Sequence, residues 1–368
     1  MLRVGLSGAN RSGAFANALN TVTETQAVAC CDPNPENLKL FTDRWNVKGY
    51  ADFDQMLDAE RLDMVVVASP MQCHVPQAVA AMKAGAHVLS EVPAAVSIDE
   101  CWQLLATVRQ TGRKYMMAEN YCYRKNVVLV KAMADAGVFG DLYYAEGAYL
   151  HDVRSMHHNP DGTPTWRVTW QVGRNGVTYP THSLGPCLQW LKDRVKLLTC
   201  LGTGVHTVPH YVNEDSTVML CKTSRDRLAN IRLDMVSNRP HVMDYYALQG
   251  IEGCYEAPRA RGEEHRVWIK GRAKDDQTWE SLWNYEAEFL PEIWRNPPEE
   301  ARRAGHGGGD YFVVREFVDA IIDDARPPID VYDSLDYTAP GLVSEMSINQ
   351  GGVPLPVPDF RAGASGGA

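Results

Sequence analysis

The stretch from Leu2 to Asp32 limits the fold of this chain more than any other. Leu2-Arg3-Val4-Gly5-Leu6 is a short apolar run, and Gly8-Ala9-Asn10-Arg11-Ser12-Gly13 follows it directly. A helix-like segment then leads to a second apolar run, Ala27-Val28-Ala29-Cys30-Cys31, which ends at Asp32. Strand, glycine turn, helix, strand and acid, in that order, describe a dinucleotide-binding unit. Small residues in the turn let backbone N–H groups and a helix N-terminus approach a pyrophosphate. Asp32 lies 19 positions after Gly13, close to the spacing of about 20 for an acid that grips the adenosine ribose. Its carboxylate would repel a 2′-phosphate, so NAD is expected rather than NADP. Asn10 stands where the pattern has its middle glycine. Asn tolerates left-handed backbone better than most residues, so the turn is expected to survive there.

Strand and helix signals keep alternating to about residue 122. Asp63-Met64-Val65-Val66-Val67-Ala68 is a strongly apolar strand ending at Ser69-Pro70, as suits a parallel sheet covered on both faces. His74 to Gly85 reads as a helix with a glycine stop, and Val88-Leu89 as a short strand. Ser97-Ile98-Asp99-Glu100 reads as a capping box opening a helix to about Thr111. Tyr115 to Ala118 closes the series as its last strand. The expected fold is α/β: a doubly wound parallel sheet over residues 1–122. Ligands of such sheets sit at the carboxyl ends of the strands. Those ends carry Gly8 to Gly13, Asp32, Ser69 to His74, Glu91, Glu119 and Asn120.

The pattern changes after about Tyr123. Leu142 to Tyr149, Val218 to Cys221, Ala229 to Met235 and Tyr245 to Gln249 are strand candidates without regular helices between them. A second domain over 123–358, α+β with an open, mostly antiparallel sheet, is expected. Asp310 to Ile322 is spaced as a helix, and Pro327-Pro328 ends it. The Gly/Ala/Ser-rich tail over 359–368 is expected to be loose.

Composition narrows the partners. The net charge is −10, and no basic run stands out, so nucleic acid is not an expected partner. No apolar stretch is long enough to span a membrane. The chain enters its first strand at once, so no signal peptide is expected and the cytoplasm is the expected compartment. The nine cysteines are scattered without a C-x-x-C, so neither a zinc site nor a redox pair is indicated. His157-His158 are adjacent and no H-E-x-x-H motif occurs, so no metal is expected. Polar residues cluster at His151-Asp152, Trp166-Arg167, Tyr179-Pro180-Thr181-His182 and His306-Gly307-Gly308-Gly309-Asp310-Tyr311. Each alone is compatible with an ordinary loop, a core aromatic or a helix start.

Together these stretches carry a resemblance. The N-terminal two-fifths resembles the Gfo/Idh/MocA oxidoreductases, which pair a Rossmann domain with an open-faced antiparallel sheet. That family usually has Glu-Lys-Pro after its fifth strand, where this chain has Glu91-Val92-Pro93. Val92 cannot relay a proton. The usual Asp four residues before the site histidine is Thr178 here. Both departures fit a sub-branch. Glu91 to Ala95, Asp99 to Trp102, Met116 to Tyr123, Gly137 to Gly140, Glu146 to Asp152, Trp166-Arg167, Tyr179 to Pro186 and Gly305 to Tyr311 look like glycoside hydrolase family 109. This is the NAD-dependent α-N-acetylgalactosaminidase group. Residues from about Lys192 to Ala304 resemble it less, and Arg239-Pro240-His241 stands where the group tends to have Arg-Pro-Tyr.

The resemblance implies a small glycoside as substrate and a redox-neutral cycle. Sugar carbon 3 is oxidised, the acidified proton on carbon 2 is removed, the aglycone leaves carbon 1 by elimination, water adds to the enone, and the ketone is reduced again. It implies proton transfer by Tyr179 and His182, with His151 and Glu119 as the second acid/base pair. Tyr149, Arg167, Pro180, Thr181, His241, His306 and Asp310 would contact the sugar together with Tyr179 and His182. Gly8, Asn10, Arg11, Ser12, Asp32, Ser69, Met71, Gln72, Cys73, His74, Glu91, Val92 and Asn120 would line the NAD. It also implies a homo-oligomer formed through the open sheet. Two other readings stay open: a net NAD-dependent sugar or cyclitol dehydrogenase, and a non-catalytic sugar-binding protein that holds NAD.

Overall fold

A computed structural model describes residues 1–362. The chain divides into two compact units. Unit 1 holds Met1–Tyr123, Pro298–Leu335 and the chain from Phe360, and unit 2 holds Arg124–Pro297 and Asp336–Asp359.

Unit 1 is built on six strands: β1 (Leu2–Ser7), β2 (Thr25–Cys31), β3 (Lys48–Tyr50), β4 (Met64–Val67), β5 (His87–Ser90) and β6 (Tyr115–Met117). Their order is β3-β2-β1-β4-β5-β6 and every pairing is parallel. This is the doubly wound dinucleotide-binding order, with the switch point between β1 and β4. All four residues of β4 are fully buried, which is why that strand reads as an unbroken apolar run. Ser97 caps the helix Ile98–Thr111 by accepting the Glu100 N–H, and Gly112 ends it in left-handed backbone.

The chain does not divide once, at residue 122. Pro298–Leu335 belongs to unit 1. The reason is the helix Gly309–Ile322, whose apolar face of Phe312, Val313 and Phe317 is buried. It packs against the helix Ala9–Leu19 and the turn Asn120–Tyr123. The start of the tail is not loose either. Phe360 is buried with its ring 4.6 Å from Trp102, and Arg361 pairs with Asp333. The rest of the expected loose tail, 363–368, lies outside the described residues.

Unit 2 carries a nine-stranded sheet: β7 (Leu142–Leu150), β8 (Val195–Gly202), β9 (Thr217–Thr223), β10 (Leu228–Asp234), β11 (Val242–Gly250), β12 (Gly253–Glu256), β13 (Arg266–Ile269), β14 (Glu280–Ser281) and β15 (Leu355–Pro356). The order is β14-β13-β12-β11-β7-β10-β9-β8-β15, antiparallel except where β7 runs parallel to β10. The helix Thr181–Leu191 lies on β7, β10 and β11. It comes so close that a Cβ on Gly147 would sit 2.5 Å from the Ser183 carbonyl oxygen. Glycine at 147 therefore sets the helix–sheet distance.

Pro186 lies inside that helix. It has no N–H to offer the carbonyl four residues back, which belongs to His182. The Tyr246 hydroxyl, fully buried on β11, donates to that carbonyl at 2.6 Å instead.

Candidate active site

In unit 1 the candidate cofactor residues meet at the carboxyl ends of β1, β2, β4, β5 and β6. Gly8 takes the left-handed conformation (φ 87°), and a Cβ there would lie 2.4 Å from the Ala68 oxygen. Asn10 instead lies in the helix Ala9–Leu19, so its tolerance of left-handed backbone is not used. That helix has no side-chain cap and no acid in its first turn. Its positive end is therefore left for an anion. Asp32 fixes the turn: Oδ2 accepts the Ala9 N–H and Oδ1 the Asn34 N–H, each at 2.8 Å. Each oxygen keeps a second lone pair for a ribose hydroxyl.

Arg11 points its guanidinium at Glu91 and, at 3.4 Å, at Asp310. Burial works against that charge, but the two carboxylates more than offset it and raise the pKa. Glu91 also accepts the Val92 N–H at 3.0 Å. Ser69 donates to Gln77 at 2.7 Å. Met71 is buried, and burial pushes the Cys73 thiol up.

Two candidates serve the crevice indirectly. Ser12 is fully buried and donates to the Ser7 carbonyl at 3.2 Å. His74 is buried with Nδ1 2.8 Å from the Pro93 oxygen and Nε2 2.9 Å from the Ser69 oxygen. Each ring nitrogen thus faces a backbone oxygen, one on the β4 loop and one on the β5 loop, and the neutral ring donates to one of them. Burial lowers the basicity of His74, while the two carbonyls and Glu91 oppose that.

The donor set of a dinucleotide fits what remains. Gln72 Oε1 and Asn120 Oδ1 are buried acceptors without a partner among the described residues. Ribose hydroxyls and a carboxamide are donors that would satisfy them. Glu119 is fully buried, with Oε1 accepting the Tyr121 N–H at 3.0 Å. His306 and Asp310, expected at the sugar, lie in unit 1 and pair with each other at 3.0 Å. The helix packing that draws Pro298–Leu335 into unit 1 brings them there.

Unit 2 gathers the other candidates into one aromatic cluster. The Tyr149 hydroxyl and His151 Nδ1 are 2.8 Å apart. The Tyr149 ring lies 5.7 Å from Tyr179 and 5.5 Å from His182, and those two are 5.0 Å apart edge-on. His241 meets His151 edge-on at 4.4 Å. Burial, with help from His241 and Arg167, pushes the His151 pKa down to about 4. The ring is therefore neutral near pH 7 and able to accept a proton. Pro180 precedes the helix Thr181–Leu191, and the Thr181 hydroxyl is buried without a partner among the described residues. Arg167 donates to Gln171 at 2.9 Å and lies over the Trp166 ring.

Asp152, beside His151, is tied to Arg154, and that bond pulls its pKa down to about 2. A carboxylate held ionised in this way cannot act as the acid of a two-carboxylate glycosidase. The sequence did not point to Tyr246, nor to the pairing of buried His157 with half-buried Tyr211. His157 and Tyr211 are far apart in the chain, so spacing gives no signal for them.

Comparison with known proteins decides the family. The family model "Glycosyl hydrolase 109, C-terminal domain" matches residues 123–365. The chain belongs to glycosyl hydrolase family 109. The model "Oxidoreductase family, NAD-binding Rossmann fold" matches residues 2–119. This family 109 protein is therefore an NAD-dependent enzyme of a glycosidase family. An alpha-N-acetylgalactosaminidase from Tannerella forsythia is 31% identical over 415 residues, covering 99% of this chain and 87% of the relative. A family 109 protein from Solibacter usitatus is 30% identical over 397 residues, covering 98% and 89%. The fold is that of a levoglucosan dehydrogenase solved with NADH and L-sorbose, at a TM-score of 0.84 and 18% identity, covering 98% and 99%. Among the described residues of this family 109 chain, no helix is long and apolar enough to cross a membrane. No group of three or more His, Cys, Asp or Glu could hold a metal ion there either.

Proposed function

We propose that this enzyme hydrolyses a small glycoside, an α-N-acetylgalactosaminide, through a cycle that leaves its NAD unchanged overall. The observation that carries this reading is the Tyr149–His151–Tyr179–His182 cluster. It offers phenols and a neutral imidazole, while its neighbouring carboxylate is locked to Arg154. Bound NAD would supply the reversible oxidation of sugar carbon 3.

The remaining work is proton transfer. Tyr179 and His182 take the protons released at carbons 3 and 2. A ketone at carbon 3 acidifies the carbon 2 proton, so a modest base suffices. The Tyr149 hydroxyl gives its proton to the departing aglycone oxygen, and the pair it forms with neutral His151 later takes one from the entering water. Glu119 serves as their partner in that second pair, and Arg167 orients the sugar. His241 stands where the group tends to have tyrosine and adjusts the fit of the sugar beside His151. Residues 1–122 hold the cofactor and 123–358 the sugar, with Pro298–Leu335 lent to the cofactor side.

We assign the enzyme to the cytoplasm; its nine cysteines are all free thiols, as a reducing compartment would keep them. We also assign it a homo-oligomeric state, with neither nucleic acid nor membrane as partner. Light scattering on a sizing column that gives a monomer mass would overturn the oligomer.

The deciding experiment incubates the protein with para-nitrophenyl α- and β-glycosides, including the GalNAc forms, with and without NAD. Nitrophenol release and the NADH absorbance band are followed together. Release with a flat NADH signal is expected. NADH accumulating on free sugars without release would move the protein to the dehydrogenases. Neither signal would leave a cofactor-holding binding protein.

A further inference from the structure

Asp310 opens the helix Gly309–Ile322 and is almost fully buried in unit 1. Three donors converge on its carboxylate. Arg11 Nη2 lies 3.4 Å and Asn120 Nδ2 3.5 Å from Oδ1, while His306 Nδ1 lies 3.1 and 3.0 Å from the two oxygens. The glycines around it make this possible. A Cβ on Gly305 would lie 2.4 Å from Asp310 Oδ2. His306, Gly307 and Gly308 all have positive φ (54°, 70° and 97°), which folds the imidazole back over the carboxylate. Burial raises the Asp310 pKa, but His306 and Arg11 outweigh it and hold the group ionised.

The consequence falls on Asn120. An amide has a donor end and an acceptor end, and an ionised carboxylate only accepts. Nδ2 must therefore face Asp310, which commits Oδ1 to the opposite side. Oδ1 is buried and has no donor among the described residues. Asn120 follows β6, at the far edge of the sheet from Asp32 after β2. Asp32 marks the adenosine ribose end, so the β6 end receives the nicotinamide half.

We propose that Asp310 is a positioning residue for the cofactor: it locks the Asn120 amide so that Oδ1 accepts a hydrogen bond from the nicotinamide half of NAD. The donor is either the carboxamide N–H or a ribose hydroxyl. This role goes beyond the sugar reaction and does not depend on which sugar is cleaved.

The test is calorimetric titration of NAD into the full-length protein, with thermal midpoints recorded alongside. Asp310→Asn should weaken NAD at least tenfold. Asn120→Ala should do the same, and the double variant should be within twofold of Asn120→Ala alone, because the two act as a unit. NAD binding by Asp310→Asn within twofold of wild type overturns the proposal, as do losses that multiply in the double variant. If Asp310→Asn does not fold, the part-exposed His306→Gln takes its place. It should weaken NAD about threefold, and that effect should vanish in the Asn120→Ala background; persistence there sinks the idea. Titration with 3-acetylpyridine adenine dinucleotide, which lacks the carboxamide N–H, separates the two donors. The Asp310→Asn effect disappears with this analogue if the carboxamide is the donor and persists if it is a ribose hydroxyl. A wild-type protein that binds no NAD would instead remove the cofactor assignment itself.

Discussion

The Tyr246 hydroxyl holds the carbonyl of His182 at 2.6 Å, the carbonyl that Pro186 leaves without its helical N–H. A catalytic candidate on the first turn of a helix is thus anchored from the sheet beneath it. Tyr246→Phe removes one oxygen and with it the buried hydrogen bond to that carbonyl. We expect a loss of about 1–3 kcal/mol in stability. Turnover should fall by more than substrate affinity, because His182 loses its anchor. Denaturant melts and steady-state kinetics check both, and a Phe variant with wild-type kcat would separate the anchor from catalysis.

Acid should weaken the fold before the carboxylates titrate. His151 and His157 both have pKa values pushed down to about 4, in each case chiefly by burial. An unfolded histidine titrates near about 6.5. Between those values the unfolded chain binds more protons than the native one, so stability falls as pH falls. It is complete above about 6.5 and declines toward 4. The urea midpoint should drop from pH 7 to pH 5, and His151→Asn should reduce the drop. An unchanged slope in that variant would remove His151 as a contributor.

How much of this was legible depended on whether a residue's signal was local. The β1–turn–helix–β2–Asp32 unit read cleanly because each part is short and contiguous. The strand β3 gave no signal: Lys48-Gly49-Tyr50 is a three-residue edge strand, mostly exposed. The helices Thr181–Leu191 and Val331–Ile348 each contain a proline, which reads as a breaker unless tertiary partners take over the freed carbonyl. The site clusters were visible as patches of sequence. The return of Pro298–Leu335 to unit 1 was not, since it rests on long-range packing of one apolar helix face. His74 stood out by its place just past a strand's carboxyl end, and only the two backbone oxygens beside its ring show that it lies between two loops.

Two glycines should respond oppositely to alanine. At Gly147 a Cβ would press to 2.5 Å from the Ser183 carbonyl oxygen, whereas at Gly13 it meets nothing within 4 Å. Gly147→Ala should cost about 1–3 kcal/mol, as overpacking does, and should lower turnover by displacing the helix that carries His182. Gly13→Ala sits inside the helix Ala9–Leu19 and should stabilise the fold by roughly 0.5–1 kcal/mol. Thermal melts of the pair check the contrast; equal effects would mean that close approach does not set the helix position.

The sharpest prediction concerns Tyr179, whose ring stands edge-on to His182 at 5.0 Å and beside Tyr149 at 5.7 Å. Tyr179→Phe keeps the ring contacts and removes the one group able to carry a proton. Turnover should fall about 100-fold or more, within the range for general acid–base groups. NAD affinity and thermal stability should hold, because the ring and its contacts are kept and only the hydroxyl is lost. A loss in KM alone would make Tyr179 a sugar contact rather than a proton carrier. Wild-type turnover would take it out of the mechanism and leave His182 and the Tyr149–His151 pair to account for the chemistry.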